Sequence, residues 1–168
     1  MMMSFVFMAG LIAVTGLPNG YEKAIWGMTV EELQQVASVE QVEVGDGLNY
    51  AEHQEEDPEV YIRLTDQHER IEYYFFEGRL YKIFIVYDRI LYHTHFYDRL
   101  IEEVKGHHGP PQKIYHEELF GLPIQHTLWE DQVSILDLRK GAGFVYQVRI
   151  QKAAAQKKAR SPQQKKGI

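Results

Sequence analysis

The sequence predicts an α+β fold in which a tandem αβββ repeat forms one six-stranded, mostly antiparallel sheet with two helices on one face. Two observations carry this. Amphipathic helix patterns occur at residues 29–37 (TVEELQQVA) and 94–105 (THFYDRLIEEVK), and each is followed by strand patterns in the same order. The length of 168 residues, with 45% hydrophobic and 25% charged residues, suits one globular domain with a substantial core.

The N-terminal residues 1–17 (MMMSFVFMAGLIAVTGL) carry no charged side chain. The run falls short of the roughly 18 apolar residues of a transmembrane helix and fits the apolar region of a secretory signal. Small residues at Val14, Thr15 and Gly16 form a candidate cleavage site, although no Lys or Arg precedes the run. We predict a signal peptide and linker at residues 1–20. The alternative is that residues 1–17 fold into the core of a cytoplasmic protein.

The first helix has a clear start signal. Thr29 and Glu32 have the spacing of a capping box, in which each side chain binds the backbone N–H of the other residue. Val30, Leu33 and Val36 follow on one side at helical spacing. Such a short helix needs a sheet to pack against.

The strands of the first half are separated by turn signals. The clearest pair is a hairpin of residues 71–76 and 80–87 joined by Glu77-Gly78, where Gly suits the positive φ of a tight turn. An acidic loop at 52–58 precedes a strand at 60–64, and residues 42–44 and 48–51 form an earlier candidate.

The second helix has an apolar stripe and a predicted stop at Gly106. Its stripe consists of Phe96, Leu100, Ile101 and Val104. Strand patterns follow at 114–119, 125–129, 133–138 and 144–150, so the domain is predicted to span residues 21–151. The expected core comprises Leu33, Tyr73, Phe75, Ile83, Ile85, Leu100, Val104, Ile135 and Val148.

Composition and charge exclude several functions. There is no cysteine, which rules out disulfides, thiolate nucleophiles and cysteine metal sites. Residues 152–168 form a basic tail, predicted to be disordered, that could contact an acidic surface weakly. The charge of the last 18 residues is +6, which leaves −12 on residues 1–150. An acidic body argues against a nucleic-acid-binding surface.

Four histidines near the second helix are candidate metal ligands, namely His93, His95, His107 and His108. Imidazoles at i and i+2 of a strand can chelate zinc or copper, but these pairs lie at the two ends of a helix and no His/carboxylate motif accompanies them. We therefore predict no metal, no cofactor and no catalytic residues.

Several segments resemble small exported bacterial domains of the BamE-like (SmpA/OmlA) type. The segments are WGMTVEEL at 26–33 and the hairpin YYFFEGRLYKIFIVY at 73–87. GHHGPP and TLWEDQVSIL in the second half are similar to uncharacterised exported domains with a repeated plan, and the tandem arrangement resembles the beta-lactamase inhibitor protein fold. The chain departs from the BamE family in having no lipidated cysteine and no Gly-Met-Thr start on its second helix. The resemblance implies an exported domain without catalytic residues.

These observations favour a non-enzymatic extracytoplasmic binding or assembly-accessory domain. Its ligand, a protein, peptide or glycan, is expected on the sheet face opposite the helices, which should present tyrosines and charges. Two alternatives stay open: a His-dependent metal-binding or hydrolytic protein, and a cytosolic structural protein.

Overall fold

The computed structural model describes residues 16–43, 59–65, 69–88, 95–119, 121–141 and 145–152. They form two helices and ten strands. In chain order these are β1 (Gly20–Tyr21), β2 (Ala24–Ile25), α1 (Val30–Val36), β3 (Glu40–Val42), β4 (Glu59–Leu64), β5 (Arg70–Phe76), β6 (Arg79–Asp88), α2 (Phe96–His108), β7 (Lys113–Leu119), β8 (Leu122–Glu130), β9 (Ser134–Gly141) and β10 (Val145–Lys152).

One large antiparallel sheet dominates the structure. Its strand order is β3-β4-β5-β6-β10-β9-β8-β7, and β1 pairs with β2 separately. The prediction of an α+β fold is therefore correct. The prediction of a six-stranded sheet made of a tandem αβββ repeat is wrong, because the sheet has eight strands and each helix precedes four of them.

The two edges of the sheet are formed by β3 and β7. On one edge, β3 pairs with β4 across a long connection, with Gln41 opposite Tyr61, so no local turn signal announces the pairing. On the other edge, Leu119 pairs with Leu122, and Gly121 has φ 78°. A positive φ of this kind is what a two-residue hairpin loop requires. The candidate strand at 48–51 and the acidic loop at 52–58 lie outside the described residues.

Helix α1 has the predicted capping box. The Thr29 N–H donates to Glu32 Oε2 at 2.8 Å, and the Glu32 N–H donates to Thr29 Oγ1 at 3.3 Å. Leu33 is completely buried. The local sequence therefore sets where this helix begins, and one apolar side chain fixes it to the sheet.

Helix α2 ends three residues later than predicted. Gly106 lies inside the helix, and Gly109 forms the C-cap with φ 78° and an N–H that donates to Lys105 O at 2.9 Å. Gly inside a helix costs only about 1 kcal/mol relative to Ala. The end of the helix is fixed to β8, because Trp129 Nε1 donates to the Gly109 carbonyl at 2.9 Å.

Both helices pack on the same face of the sheet, in one hydrophobic cluster with the inner residues of the strands. The predicted core residues Leu33, Tyr73, Phe75, Ile83, Ile85 and Ile135 are buried. Leu100 and Val104, which were predicted to be mostly buried, are half-buried and pack at the margin of the cluster. The side chain that α2 buries completely is Tyr97, which the apolar stripe did not include. The Val148 side chain lies outside the described set.

The segment before β1 belongs to the folded domain. Leu17 is buried in the helix-side cluster, and the Pro18 carbonyl accepts a hydrogen bond from Ser134 Oγ at 2.6 Å. Residues 1–15 of the predicted signal and residues 153–168 of the basic tail lie outside the described residues. Among the described helices, none is long and apolar enough to cross a membrane.

Candidate functional site

The sheet face opposite the helices carries a row of charged and aromatic side chains. Strand alternation places Glu72, Lys82, His126, Asp137 and Arg139 on this outer face. All five are buried. Burying charges is costly unless each one is paired, so the geometry of the row is informative.

His126 and Asp137 form the centre of the row. His126 Nδ1 lies 3.1 Å from Oδ1 and 3.0 Å from Oδ2 of Asp137, and Arg139 Nε donates to the same Oδ2 at 2.9 Å. The register of β8 with β9 pairs His126 with Arg139 and Leu128 with Asp137, so the three polar groups come from adjacent strands. The Asp137 carboxylate thus contacts the His126 ring and the Arg139 guanidinium, and its buried charge is paired with that of Arg139.

The other side of the imidazole faces strand β7. His126 Nε2 lies 3.4 Å from Glu117 Oε2, and the imidazole stacks on the Tyr115 ring with centroids 4.5 Å apart and planes 7° apart. Lys113 Nζ lies 4.6 Å from the same tyrosine ring. The ring of His126 is therefore held at Nδ1 by Asp137 and on one face by Tyr115, whereas Nε2 lies near Glu117 without a hydrogen bond to it.

A second group of charges lies on β5 and β6. Tyr74 Oη donates to Glu72 Oε2 at 2.6 Å, and Arg70 Nε lies 2.8 Å from Glu72 Oε1. Burial raises the pKa of Glu72, while the hydrogen bonds from Tyr74 and Arg70 partly offset that effect. Lys82 Nζ lies over the Tyr74 ring at 4.4 Å from its centroid, which gives the buried ammonium a cation–π contact.

The burial of these groups restricts where a ligand can bind. The middle of the outer face is occupied by completely buried rings such as Tyr74 and Phe84, so it does not present an open tyrosine surface as predicted. Accessible side chains lie at the margins of this face, and at the β7 margin Lys113, Glu117 and Leu122 are exposed while Tyr115, Ile124 and Leu128 are half-buried. We call these six residues the β7–β8 surface.

Strand β7 also forms an edge of the main sheet. Lys113–Leu119 pairs with β8 in an unbroken register, and within the described ranges no strand pairs with its other side. Ile114, on the helix side of this strand, is 58% exposed. The strand thus presents backbone hydrogen-bonding groups together with an exposed apolar side chain.

The histidines named from the sequence do not form a site in the described structure. His95 is the N-cap residue of α2, whereas His107 and His108 are its last two residues. The thirteen residues of α2 place these ends about 18 Å apart. His93 lies outside the described residues. In the part of the chain that is described, no three His or acidic residues are placed to share a metal ion.

The sequence patterns did not identify His126 and Asp137. They are eleven residues apart and meet only because of the β8–β9 register. The sequence did contain a signal for this contact. His126 and Asp137 lie in strand patterns on either side of the short turn at 131–133, and a hairpin formed by these strands brings the two side chains together.

Comparison of the chain with protein-family models, with curated proteins and with solved structures finds no match.

Proposed function

We propose that this chain is a non-enzymatic extracytoplasmic binding or assembly-accessory domain, and that it binds an extended segment of a partner protein along β7. The observation that carries the proposal is the geometry of the β7 edge. A seven-residue strand ends the sheet there, next to half-buried aromatic and apolar side chains. A partner strand added to such an edge gains main-chain hydrogen bonds, and its alternate side chains contact the two faces.

The side chains around this edge support selective binding. Lys113 and Glu117 lie two positions either side of Tyr115 on the outer face, so a partner segment would meet a positive and a negative charge flanking an aromatic ring. Ile114 offers apolar contact on the other face. Isolated charges also protect an edge from indiscriminate pairing, and this would favour partners with complementary side chains.

The buried network behind the edge supports a rigid binding surface. His126 joins β8 to Asp137 of β9 and stacks on Tyr115 of β7, so side-chain contacts link three adjacent strands. Polar networks of this kind restrict side chains to one arrangement. A surface ordered in advance loses less entropy on binding.

The His126–Asp137 pair also supports the alternative of a His-dependent hydrolytic protein. A carboxylate that orients an imidazole is part of many hydrolytic sites, which further need a nucleophile or a metal-bound water at the other ring nitrogen. In the described structure the Glu117 carboxylate, not a nucleophile, lies 3.4 Å from Nε2. A panel of nitrophenyl esters, phosphates and glycosides separates the two functions. A hydrolase should cleave at least one of them and lose that activity in His126→Ala, whereas a binding domain should cleave none.

The extracytoplasmic location rests on the uncharged run at 1–17 and on the resemblance to exported domains. The alternative, a cytosolic structural protein with this run folded into its core, draws support from the burial of Leu17. Fractionation of cells that produce the full chain distinguishes them, because only an exported protein is found outside the cytoplasm.

The binding proposal is tested with a displayed library of linear peptides selected on the full-length protein. Selected peptides should increase the hydrogen-exchange protection of β7 amides, and Ile114→Lys should weaken their binding at least tenfold. Leu64→Lys is the matched control, because Leu64 is 71% exposed and is the last residue of β4, which lies near the opposite end of the strand order from β7.

Two outcomes would contradict the binding proposal. One is a set of selected peptides that protect amides elsewhere and leave β7 unchanged. The other is equal binding by the Ile114→Lys variant and the unaltered protein, provided that both unfold at the same temperature.

A further inference from the structure

Asp131 holds the beginning of the folded chain. Its Oδ2 accepts the backbone N–H of Leu17 at 2.6 Å, while its Oδ1 accepts the N–H groups of Val133 and Ser134 at 2.7 and 2.8 Å. One oxygen orders the β8–β9 turn and the other binds residue 17. The turn and the N-terminal segment are therefore connected through one carboxylate.

The burial of the chain changes between residues 16 and 17. Leu17 is 8% exposed and packs in the core, and Pro18 is hydrogen-bonded to Ser134, which itself accepts from Trp26 Nε1 at 2.8 Å. Gly16 is exposed, and a Cβ placed on it would lie 3.0 Å from Asp131 Oδ2. The fold thus holds the chain from Leu17 onwards and leaves little room for a side chain at position 16.

We propose that the Gly16–Leu17 peptide bond is a processing site, and that Asp131 binds the α-ammonium group created at Leu17. The inference rests on the proposed export of the protein. Gly16 is the last residue of the Val14-Thr15-Gly16 segment, and leader removal favours a small residue immediately before the cut. An endopeptidase of the export machinery would cleave this bond before the chain folds.

The chemistry of the step is a hydrolysis. Water adds its hydroxyl to the Gly16 carbonyl carbon and the C–N bond breaks, which leaves a carboxyl group on Gly16. The Leu17 nitrogen takes up the remaining proton of the water and the proton of the new carboxyl group, so the products are a carboxylate and an ammonium group. In the uncut chain this nitrogen is a neutral amide that donates one hydrogen bond to Asp131. The ionised carboxylate makes this contact charge-assisted already, and after cleavage the donor is charged as well, so the contact becomes an ion pair.

The state of Asp131 suits this role. Burial opposes its ionisation, but the N–H groups of Ser134, Leu17 and Val133 outweigh burial, and with His108 they lower the pKa of Asp131. The carboxylate is therefore ionised at neutral pH. The titratable groups beside it include His108, at the end of α2, and Glu130, the preceding residue.

The ion pair gives stability a defined pH dependence. An α-amino group ordinarily has a pKa of about 7.7–8.0, and a carboxylate contact raises it in the folded state. Stability from the pair is then complete below the ordinary value and is lost as the pH rises through the raised value. The uncut chain has an amide at this position and lacks this contribution.

The cleavage site is tested by producing the full chain of residues 1–168 in an export-competent bacterium and determining the N-terminus and intact mass. The expected mature chain begins at Leu17. An exported protein that begins at another residue would overturn the processing site while leaving export intact. Unprocessed protein confined to the cytoplasm would instead remove the export proposal on which the site depends.

The capture of the ammonium group is tested on the processed protein in a His108→Gln background, which removes the imidazole from the comparison. Its melting temperature should fall between about pH 7 and pH 10, across the ordinary amine pKa. The fall should be smaller in Asp131→Asn, which keeps an oxygen acceptor but no charge. Glu130→Gln is the matched control and should behave as the parent.

An equal fall in the parent and in Asp131→Asn would overturn the capture by Asp131. Should Asp131→Asn fail to fold, a chain that begins at Gly16 provides the same comparison, because its amino group is one residue further from the carboxylate. If the melting temperature of that chain fell by the same amount, this would also overturn the capture by Asp131.

Discussion

The hydroxyl oxygens of Tyr97 and Thr127 lie 3.1 Å apart, and both side chains are buried between α2 and the sheet. Tyr97 Oη also donates to the Leu138 carbonyl at 3.0 Å, so one phenol joins the helix to β8 and β9. Burial raises the pKa of Tyr97 to about 12, which keeps the hydroxyl protonated and able to donate.

We expect Tyr97→Phe to lower the free energy of unfolding by about 1–3 kcal/mol, because it leaves the buried Leu138 carbonyl without this donor and the buried Thr127 hydroxyl without this acceptor. Denaturant unfolding measures the loss. Thr127→Val completes a double-mutant cycle, and a coupling energy above about 0.5 kcal/mol is expected for groups in direct contact. Additive effects of the two substitutions would show that the hydroxyl groups do not interact.

The buried charge pair of the outer face should be important for stability. Asp137→Ala leaves His126 and Arg139 without their shared carboxylate, and removing one partner of a buried ion pair costs about 3–5 kcal/mol. Glu117→Gln is the control, since Glu117 is 56% exposed and should change stability by no more than about 0.5 kcal/mol. Similar unfolding midpoints for both variants would contradict the burial of this network.

Local signals were enough to predict several elements. The Thr29–Glu32 box and the turn at Glu77-Gly78, whose φ angles are 50° and 69°, are both present. These features depend on residues close together in the sequence, where propensity and capping act directly.

The remaining features depend on register between distant residues. The β3–β4 pairing and the contact of His126 with Asp137 are set by how strands align. The alternation of apolar residues excludes a one-residue slip, but it does not choose among registers that differ by two residues. Burial of the outer face was missed for a related reason. An alternating strand pattern shows that two faces differ, but it does not show that tyrosines and charges on the polar face will be covered.

Glu72 should make the folded state less stable as the pH rises, whereas an ordinary paired acid makes it more stable. Its pKa is raised in the folded state, so the native chain binds more protons than the unfolded chain once the pH passes the usual value of 4.5. Stability therefore falls as the pH rises through this window. Glu72→Gln should remove that fall and still accept the Tyr74 hydroxyl.

The measurement for Glu72 is the melting temperature between about pH 4 and pH 7, the range in which a raised carboxyl pKa acts. The difference between Glu72→Gln and the parent should grow in favour of the variant as the pH increases. Glu118→Gln, at an exposed position of β7, is the control for loss of one negative charge. A difference that stays constant over this range would contradict the raised pKa.

Two leucines on the helix side of the sheet differ in burial. Leu33 of α1 is completely buried, whereas Leu100 of α2 is half-buried. Leu33→Ala should cost about 2–5 kcal/mol, as for a packed core site, and Leu100→Ala should cost less, in proportion to its smaller buried area. Chemical denaturation of both variants decides this, and a larger loss for Leu100→Ala would reverse the assignment.

The final prediction is that the domain binds no metal through the histidines around α2. His95 precedes the helix and His107 and His108 end it, about 18 Å away. A protein zinc site uses three or four protein ligands, and neither end of the helix supplies that number from the described residues. Protein purified without a histidine tag should contain no stoichiometric metal, and its melting temperature should be the same with Zn²⁺ and with EDTA. The variant His107→Gln/His108→Gln should match the parent in both conditions. Bound metal at one equivalent, together with a rise in melting temperature that EDTA abolishes and this variant lacks, would overturn the binding-domain proposal and favour the His-dependent alternative.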